Sequence, residues 1–89
     1  MRLDLFLKQT GLVKQRSLAK TICDRGLVTV DGRVAKAAKE LALGMTVALE
    51  LKLEYIEFEV LGLPKRNYRR KEGEVFYRII SHERKEALF

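Results

Sequence analysis

Apolar residues near the start of the chain recur at the spacing of a helix. The stripe consists of Leu3, Phe6 and Leu7. Residues three and four apart lie on one face of an α-helix, so the pattern predicts a first helix with that face buried. Gly11 can end this helix, because glycine readily adopts the left-handed conformation of a helix C-cap. Asp4 and Lys8 stand four residues apart and are predicted to pair on its exposed side.

A second helix is predicted from about Leu18 to Arg25. Its apolar side would hold Leu18, Ala19, Ile22 and Cys23. Ser17 is a suitable N-cap, because a serine hydroxyl can accept a hydrogen bond from an unpaired amide of the first turn. Gly26 would be the left-handed residue after the helix, with Leu27 placed for the hydrophobic contact that accompanies such a cap.

Beyond Gly26 the pattern changes to the alternation that is typical of strands. "LVTVDGRVA" predicts two short strands around Asp31 and Gly32, a pair that favours a type I′ hairpin turn. "MTVALELKLEYIEFEVL" alternates over two further strands, and its apolar face changes parity between Leu53 and Ile56. This change predicts a turn or bulge near residues 54–55. "KRNYRRKEGE" is predicted to be a loop, "VFYRIIS" a last strand, and "HERKEALF" a frayed or helical tail.

The order of these elements predicts an α+β fold, in which two helices pack on a small, mostly antiparallel sheet. A chain of 89 residues can bury one modest core, and neither an internal repeat nor a flexible linker divides it. The predicted core consists of Leu3, Phe6, Leu7, Leu18, Ile22, Leu27, Val30, Val34, Leu41, Val47 and Leu49.

The charge is strongly positive and unevenly distributed. The net charge is +6 and the pI is about 9.7. Residues 1–40 carry a net +5, residues 41–63 a net −3 and residues 64–89 a net +4. A basic chain of this kind favours a polyanionic partner, with nucleic acid first and an anionic membrane second.

The apolar runs and the single cysteine exclude several classes of protein. No apolar run is long enough for a transmembrane helix, and "MRLDLFLKQ" lacks the apolar core and cleavage site of a signal peptide. Cys23 is interpreted as a buried structural thiol, and one cysteine cannot form a disulfide within the chain. These features favour a reducing cytoplasm.

Three cations surround the start of the second helix. Lys14, Arg16 and Lys20 lie where the helix dipole is positive and prefers Asp or Glu. Each such cation costs a few tenths of a kcal/mol. The pattern therefore predicts that a negative group, such as a phosphate, binds there.

Three segments together resemble a known family. "RLDLFL", "RSLAKTICDRGLVTVDGRVAK" and "LGMTVAL" are similar to the S4 RNA-binding domain, over roughly residues 1–51. A stand-alone S4 domain of this length that begins Met-Arg-Leu-Asp resembles the bacterial RqcP/YabO group, which is related to heat-shock protein 15. The resemblance implies the S4 (αL-type) fold, with residues 1–61 as the RNA-binding domain. Residues 62–89 would add a basic loop, a final strand and a tail to the same single domain.

The resemblance also implies an RNA surface on the two helices and the following loop. The matching positions are Arg2, Lys8, Lys14, Gln15, Arg16, Lys20 and Arg25. The amide groups around Ser17 would bind a phosphate oxygen, and the neighbouring cations would add charge-assisted hydrogen bonds. The alternative is that these are solvated surface cations, and Arg25 could instead cover the core. Asp4 is interpreted as structural, orienting Arg2 or Arg16 or pairing with Lys8.

Two further groups of cations would extend this surface. Arg33 and Lys36 flank the hairpin, although ordinary strand-edge charges explain them nearly as well. The segment "PKRNYRRK" interleaves an aromatic residue with cations, which suits stacking on an unpaired base while the neighbours bind phosphates. Its candidate residues are Lys65, Arg66, Tyr68, Arg69 and Arg70. The alternative is a mobile charged loop that attracts RNA without specificity.

Together these observations predict a cytoplasmic, monomeric, non-enzymatic protein with neither cofactor nor metal. The resemblance implies binding to 23S rRNA and tRNA on the large ribosomal subunit, in quality control of stalled nascent chains. A nascent-chain-elongation factor is a further implied partner. The alternatives are a factor like heat-shock protein 15, the RNA-guiding module of an RNA-modifying enzyme such as a pseudouridine synthase, and a membrane-surface protein. The last is disfavoured because no apolar helix side is expected to be exposed.

Overall fold

Two short helices open the chain in the computed structural model, which describes residues 1–65 and 75–85. Helix α1 spans Leu3–Gln9 and helix α2 spans Arg16–Asp24. The two predicted helices are thus confirmed. Helix α2 nevertheless begins earlier than expected, with Gln15 as its N-cap, so the prediction of Ser17 as the cap is wrong. Arg16 Nε donates to the buried Asp4, a long-range contact that holds Arg16 in the first turn.

Glycines end both helices in the predicted manner. Gly11 has φ 78° and Gly26 has φ 74°, both in the left-handed region. After α2, the amide of Gly26 donates to the Cys23 carbonyl and the amide of Leu27 donates to the Ile22 carbonyl. This pair of bonds is a Schellman motif, and it turns the chain directly into the first strand.

Five strands form one antiparallel sheet in the described part of the chain. They are β1 (Val28–Val30), β2 (Arg33–Val34), β3 (Thr46–Glu50), β4 (Glu54–Val60) and β5 (Tyr77–Arg84). Their order across the sheet is β2-β1-β3-β4-β5, and every neighbouring pair is antiparallel. The α+β fold class with two helices and an antiparallel sheet is confirmed.

The β1–β2 turn has the predicted type and position, whereas the β3–β4 turn lies at a different position from the predicted one. Asp31 and Gly32 both have positive φ, 51° and 84°, which is the predicted type I′ turn. The β3–β4 turn lies at residues 51–53, and the expected position at residues 54–55 is wrong. The register places Leu49 opposite Ile56, so the two strands bring an odd and an even position to the same face. The change of parity therefore occurs within the hairpin.

The last strand is longer than the sequence predicts. Residues 82–84 were expected to belong to a frayed or helical tail, but they pair with β4 as far as Glu54 opposite Arg84. The register shifts between Glu57 and Phe58, where Ile80 is the extra residue on β5. Pairing with a long neighbour therefore overrides the weak local strand pattern of the tail.

The core lies between the helices and one face of the sheet. Most of the predicted core residues are buried, and Phe6 stacks on Phe58 with 5.9 Å between ring centroids. Leu18 and Val34, which were also predicted to be buried, are 49% and 68% exposed, and Leu27 is half-buried. Ala19, Ile22 and Cys23 form the buried face of α2, and Leu18 lies at its side because adjacent helical residues are about 100° apart around the axis. Val34 is exposed because β2 is a two-residue strand at the sheet edge.

Candidate nucleic-acid interface

The start of α2 presents open donors and exposed cations together. Lys14, Gln15, Arg16, Ser17 and Lys20 are all exposed. Helix α2 has no side-chain cap, and the amides of residues 16–18 donate to no acceptor within the described parts of the chain. The Ser17 hydroxyl faces Gln15 Oε1 at 3.5 Å and caps no amide. A helix start with free N–H groups and adjacent cations suits a phosphate.

Asp4 joins the start of α1 to the start of α2. Its Oδ1 accepts from Arg2 Nε at 3.2 Å, and its Oδ2 accepts from Arg16 Nε at 3.3 Å. The structure therefore brings Arg2 and Arg16, fourteen residues apart in sequence, to one place. The predicted exposed pair of Asp4 with Lys8 is wrong, because Asp4 is 2% exposed and faces the two arginines.

This contact also changes the interpretation of the cations around α2. Arg16 lies at the positive end of the helix dipole, yet it has an acidic partner within the chain. The unfavourable position of Arg16 is thus partly offset by Asp4. Lys14 and Lys20 have no acidic partner within 4.0 Å in the described residues, which leaves both charges available to an external anion.

The first amides of α1, in contrast, already donate to acceptors within the chain. The amide of Leu3 donates to the Lys39 carbonyl at 2.8 Å, and the amide of Asp4 donates to the Ala37 carbonyl at 3.1 Å. The amide of Leu5 donates to Asp4 Oδ1 at 2.8 Å. Because these donors are used internally, α2 is the one helix among residues 1–65 and 75–85 whose first amides are open.

The loop that closes α1 also carries a group of cations. Arg33, Lys36 and Lys39 line a shallow groove beside the hairpin, and all three are exposed. Asp31 is the only acidic residue among those lining this groove. Lys39 was missed in the sequence analysis, although its spacing of three residues from Lys36 in a polar turn was a usable signal. The loop places this basic groove close to the N-terminus of α1.

Lys8 and Arg25 lie apart from the start of α2. Lys8 is exposed in the last turn of α1. Arg25 is exposed at the C-cap of α2, at the opposite end from Arg16 and about 13 Å along the helix axis. Their expected RNA contacts stay predictions.

The second basic patch falls mostly outside the described residues. Lys65 is described and exposed. Arg66, Tyr68, Arg69 and Arg70 lie outside the described ranges, so their RNA contacts also stay predictions.

The outer face of the sheet carries acidic residues. Arg78 donates to Glu59 at 2.7 Å and Lys85 donates to Glu50 at 2.5 Å, so two of these carboxylates have basic partners. Desolvation first, and then the carboxylates of nearby Glu57, Glu50 and Glu83, raise the pKa of Tyr55. Carboxylates on this face repel phosphates, so the helix side is the better surface for RNA.

Cys23 is buried and chemically quiet. Desolvation by burial, followed by the negative charges of Asp4 and Asp24, raises the pKa of its thiol to about 11. A thiol with this pKa is protonated at neutral pH and is a weak nucleophile. The interpretation of Cys23 as a structural residue agrees with this environment.

Among the described residues, no helix is long and apolar enough to cross a membrane.

Comparison with known families agrees with this geometry. The family profile described as the S4 domain matches residues 1–47, which include α1, α2 and the β1–β2 hairpin. The chain belongs to the S4 domain family. The matched segment contains Arg2, Asp4 and Arg16, the residues that meet between the two helices.

Several relatives of this S4 protein share one name, RQC P-site tRNA stabilizing factor. One from Helicobacter pylori is 39% identical over 77 residues, covering 85% of this chain and 92% of its own. One from Halalkalibacterium halodurans is 35% identical and covers 93% of each chain. One from Bacillus subtilis is 35% identical and covers 94% of this chain and 96% of its own. The similarity thus extends well beyond the matched S4 segment.

Solved structures with the same fold extend the agreement to about nine tenths of the chain. Heat shock protein 15 of Vibrio cholerae, described as trimeric, superposes with a TM-score of 0.78 at 25% identity, covering 89% of this chain and 80% of its own. The solution structure of the hypothetical protein HP1423 gives a TM-score of 0.75 at 37% identity, covering 93% of this chain and all of its own. The expected resemblance to stand-alone S4 proteins is confirmed.

Proposed function

We propose that this S4 protein binds ribosomal RNA and tRNA on the large ribosomal subunit and stabilises tRNA in the P site during quality control of stalled nascent chains. The observation that carries the proposal is the start of α2. There, free amide groups, the exposed lysines at positions 14 and 20 and the Asp4-bound arginines form one basic surface. The shared name of the relatives supports the assignment to P-site tRNA.

The basic groove beside the hairpin would extend the same surface. The cations of this groove are Arg33, Lys36 and Lys39. They lie on the hairpin and on the loop whose carbonyls accept the first amides of α1, so they continue the basic surface away from α2. Structured RNA presents phosphates along its whole backbone, and several separated cations can contact it at once. We assign 23S rRNA and tRNA as the RNA partners and a nascent-chain-elongation factor as a protein partner. Binding to ribosomes would place the protein in the cytoplasm.

The proposed action is binding without catalysis. The relatives' name describes stabilisation of a bound tRNA, which requires contacts and no bond-making step. The protonated state of Cys23 at neutral pH supports this view, since a nucleophilic cysteine needs a lowered pKa. The protein would act as an adaptor that braces tRNA against rRNA.

A factor like heat-shock protein 15 is the second candidate. The superposition with the Vibrio cholerae protein supports it, although the shared identity is only 25%. Both candidates predict ribosome binding through the basic helices. The name shared by the first group of relatives refers to P-site tRNA, whereas that of the Vibrio cholerae protein does not.

Arg16 provides the direct test of the proposed surface. Arg16→Ala should weaken binding to large subunits that carry P-site tRNA by about tenfold or more, because it removes a charge-assisted contact worth roughly 1.5–3 kcal/mol. Cosedimentation at fixed salt measures the change. Asp4 keeps Arg2 and the Leu5 amide as partners, so the free energy of unfolding should fall by only about 1 kcal/mol.

Arg84→Ala is the matched control. Arg84 is an exposed arginine at the end of β5, and its removal lowers the net charge equally. It should weaken binding about twofold or less. Equal losses in the two variants would mean that only net charge matters. Equal binding of the unmodified protein to subunits with and without tRNA would contradict stabilisation of P-site tRNA.

A further inference from the structure

Asp4 is a buried carboxylate whose two oxygens are both occupied. Its side chain is 2% exposed. Oδ1 accepts from the Leu5 amide at 2.8 Å and from Arg2 Nε at 3.2 Å. Oδ2 accepts from Arg2 Nη2 and Arg16 Nε, both at 3.3 Å. The Asp4 carboxylate thus accepts hydrogen bonds from Nε and Nη2 of Arg2 and from Nε of Arg16.

Within the described residues, the side chains of Arg2 and Arg16 donate only to Asp4, and both guanidinium groups have donors left over. A guanidinium has five N–H donors, and Arg16 gives Asp4 only the Nε donor. Arg2 gives Asp4 one donor each from Nε and Nη2, which leaves both donors of Nη1 and the second donor of Nη2. The side chains of Arg2 and Arg16 are 42% and 46% exposed, so their remaining donors reach solvent.

Holding these side chains in advance favours binding. Two arginines brought together on different helices repel each other, and the shared negative charge between them offsets that repulsion. An arginine already held in one rotamer loses less conformational entropy when it binds a phosphate. The contact with Asp4 therefore both offsets the repulsion between the two arginines and lowers the conformational entropy that they lose on binding.

We propose that Asp4 is a positioning residue for RNA binding, which holds Arg2 and Arg16 as a pair whose free outer edges bind the phosphates of the RNA backbone. The proposal rests on the proposed function. It makes an acidic residue necessary for affinity toward a polyanion, which is the opposite of what net charge alone predicts.

Asp4→Asn gives the first test, with Asp24→Asn as its matched control. Asparagine keeps an oxygen for the Leu5 amide but removes the charge that holds the arginines. Asp4→Asn should bind large subunits with P-site tRNA roughly fivefold to tenfold more weakly, although the net charge rises. Asp24 is an exposed acid at the end of α2, so Asp24→Asn makes the same change in charge and should bind up to about twofold more tightly.

The same substitution in a second background separates positioning from damage to the fold. In the double variant Arg2→Ala/Arg16→Ala, Asp4 has no arginine left to hold. Asp4→Asn should there leave affinity unchanged or raise it up to about twofold. An equal loss in both backgrounds, or an affinity of Asp4→Asn equal to or above that of the unmodified protein, would overturn the proposal.

Arg16→Lys provides a second test, which does not depend on whether the Asp4→Asn variant is stable. Lysine keeps the charge, but a single ammonium group cannot reproduce the planar fork of the guanidinium. Arg16→Lys should therefore lose about as much affinity as Arg16→Ala, and binding equal to that of the unmodified protein would refute positioning. If the unmodified protein fails to bind subunits with tRNA, the proposed function and this proposal both fail. If the unmodified protein binds but the variants do not lose affinity as expected, only the positioning role of Asp4 is refuted and the proposed function stands.

Discussion

At the scale of single residues, Cys23 shows how the core sets the chemistry of a side chain. The thiol lies among the buried residues of α2 and is 4% exposed. Burial, with the charges of Asp4 and Asp24, raises its pKa from 9.0 to about 11. The folded protein therefore keeps the proton at pH values where the unfolded chain loses it.

This difference predicts a loss of stability in alkaline solution. Between pH 9 and pH 11 the unfolded chain releases the thiol proton and the folded chain retains it, so unfolding becomes more favourable as the pH rises. The contribution is fully present below pH 9, and about 2 kcal/mol of it should be lost by pH 11. Urea denaturation across this range measures it. Cys23→Ala is the control and should show a correspondingly shallower decline, whereas parallel curves for the two proteins would contradict the prediction.

At the scale of elements, the end of α2 depends on Gly26. The residue has φ 74° and lies in the Schellman motif that passes the chain from α2 into β1. A Cβ placed on Gly26 would lie 3.9 Å from Val34 Cγ1, which is an ordinary contact. The requirement for glycine is thus conformational and not a matter of space.

Gly26→Ala should lower the free energy of unfolding by about 1 kcal/mol, because an L-residue is strained at this positive φ. Thermal and urea denaturation would measure the change. D-alanine at the same position is the matched control, since it adds the same methyl group but prefers positive φ. Chemical ligation at Cys23 makes that variant accessible. Equal destabilisation by both alanines would mean that crowding, and not conformation, requires the glycine.

At the scale of the whole molecule, charge is separated between two sides. The cations of α2 and of the hairpin groove lie on exposed segments near the N-terminus of α1. The outer face of the sheet carries Glu50, Glu57 and Glu59, two of them paired with residues near β5. This separation orients the helix side toward a polyanion.

Binding should accordingly depend strongly on salt. If about five to seven cations contact phosphates, log affinity for an RNA hairpin should fall with log salt at a slope of roughly −4 to −6. A variant with alanine at Lys65, Arg66, Arg69, Arg70 and Lys71 should have a shallower slope with an unchanged fold. Lys52→Ala, at the exposed β3–β4 turn, is the control and should leave the slope unchanged. An affinity insensitive to salt would remove the electrostatic basis of the interface, and an unchanged slope in the loop variant would remove the loop from it.

The sequence by itself determined the features that depend on near neighbours in the chain. The apolar stripe of α1, the left-handed glycines and the Asp31–Gly32 turn all express backbone preferences within a few residues. The excess of cations around α2 is likewise visible without a structure, because charges need only be counted along the chain. The helices, the hairpin and the basic character of the surface were therefore predictable.

The tertiary structure decided what depends on distant contacts. The sequence left Asp4 either to pair with Lys8 or to orient Arg2 or Arg16, and packing of α1 against α2 decided for the second by burying it beside both arginines. Leu18 and Val34 look like core residues by local pattern, yet their positions at the side of a helix and on an edge strand leave them exposed. Burial and long-range ion pairs depend on which elements meet, and no local spacing encodes that.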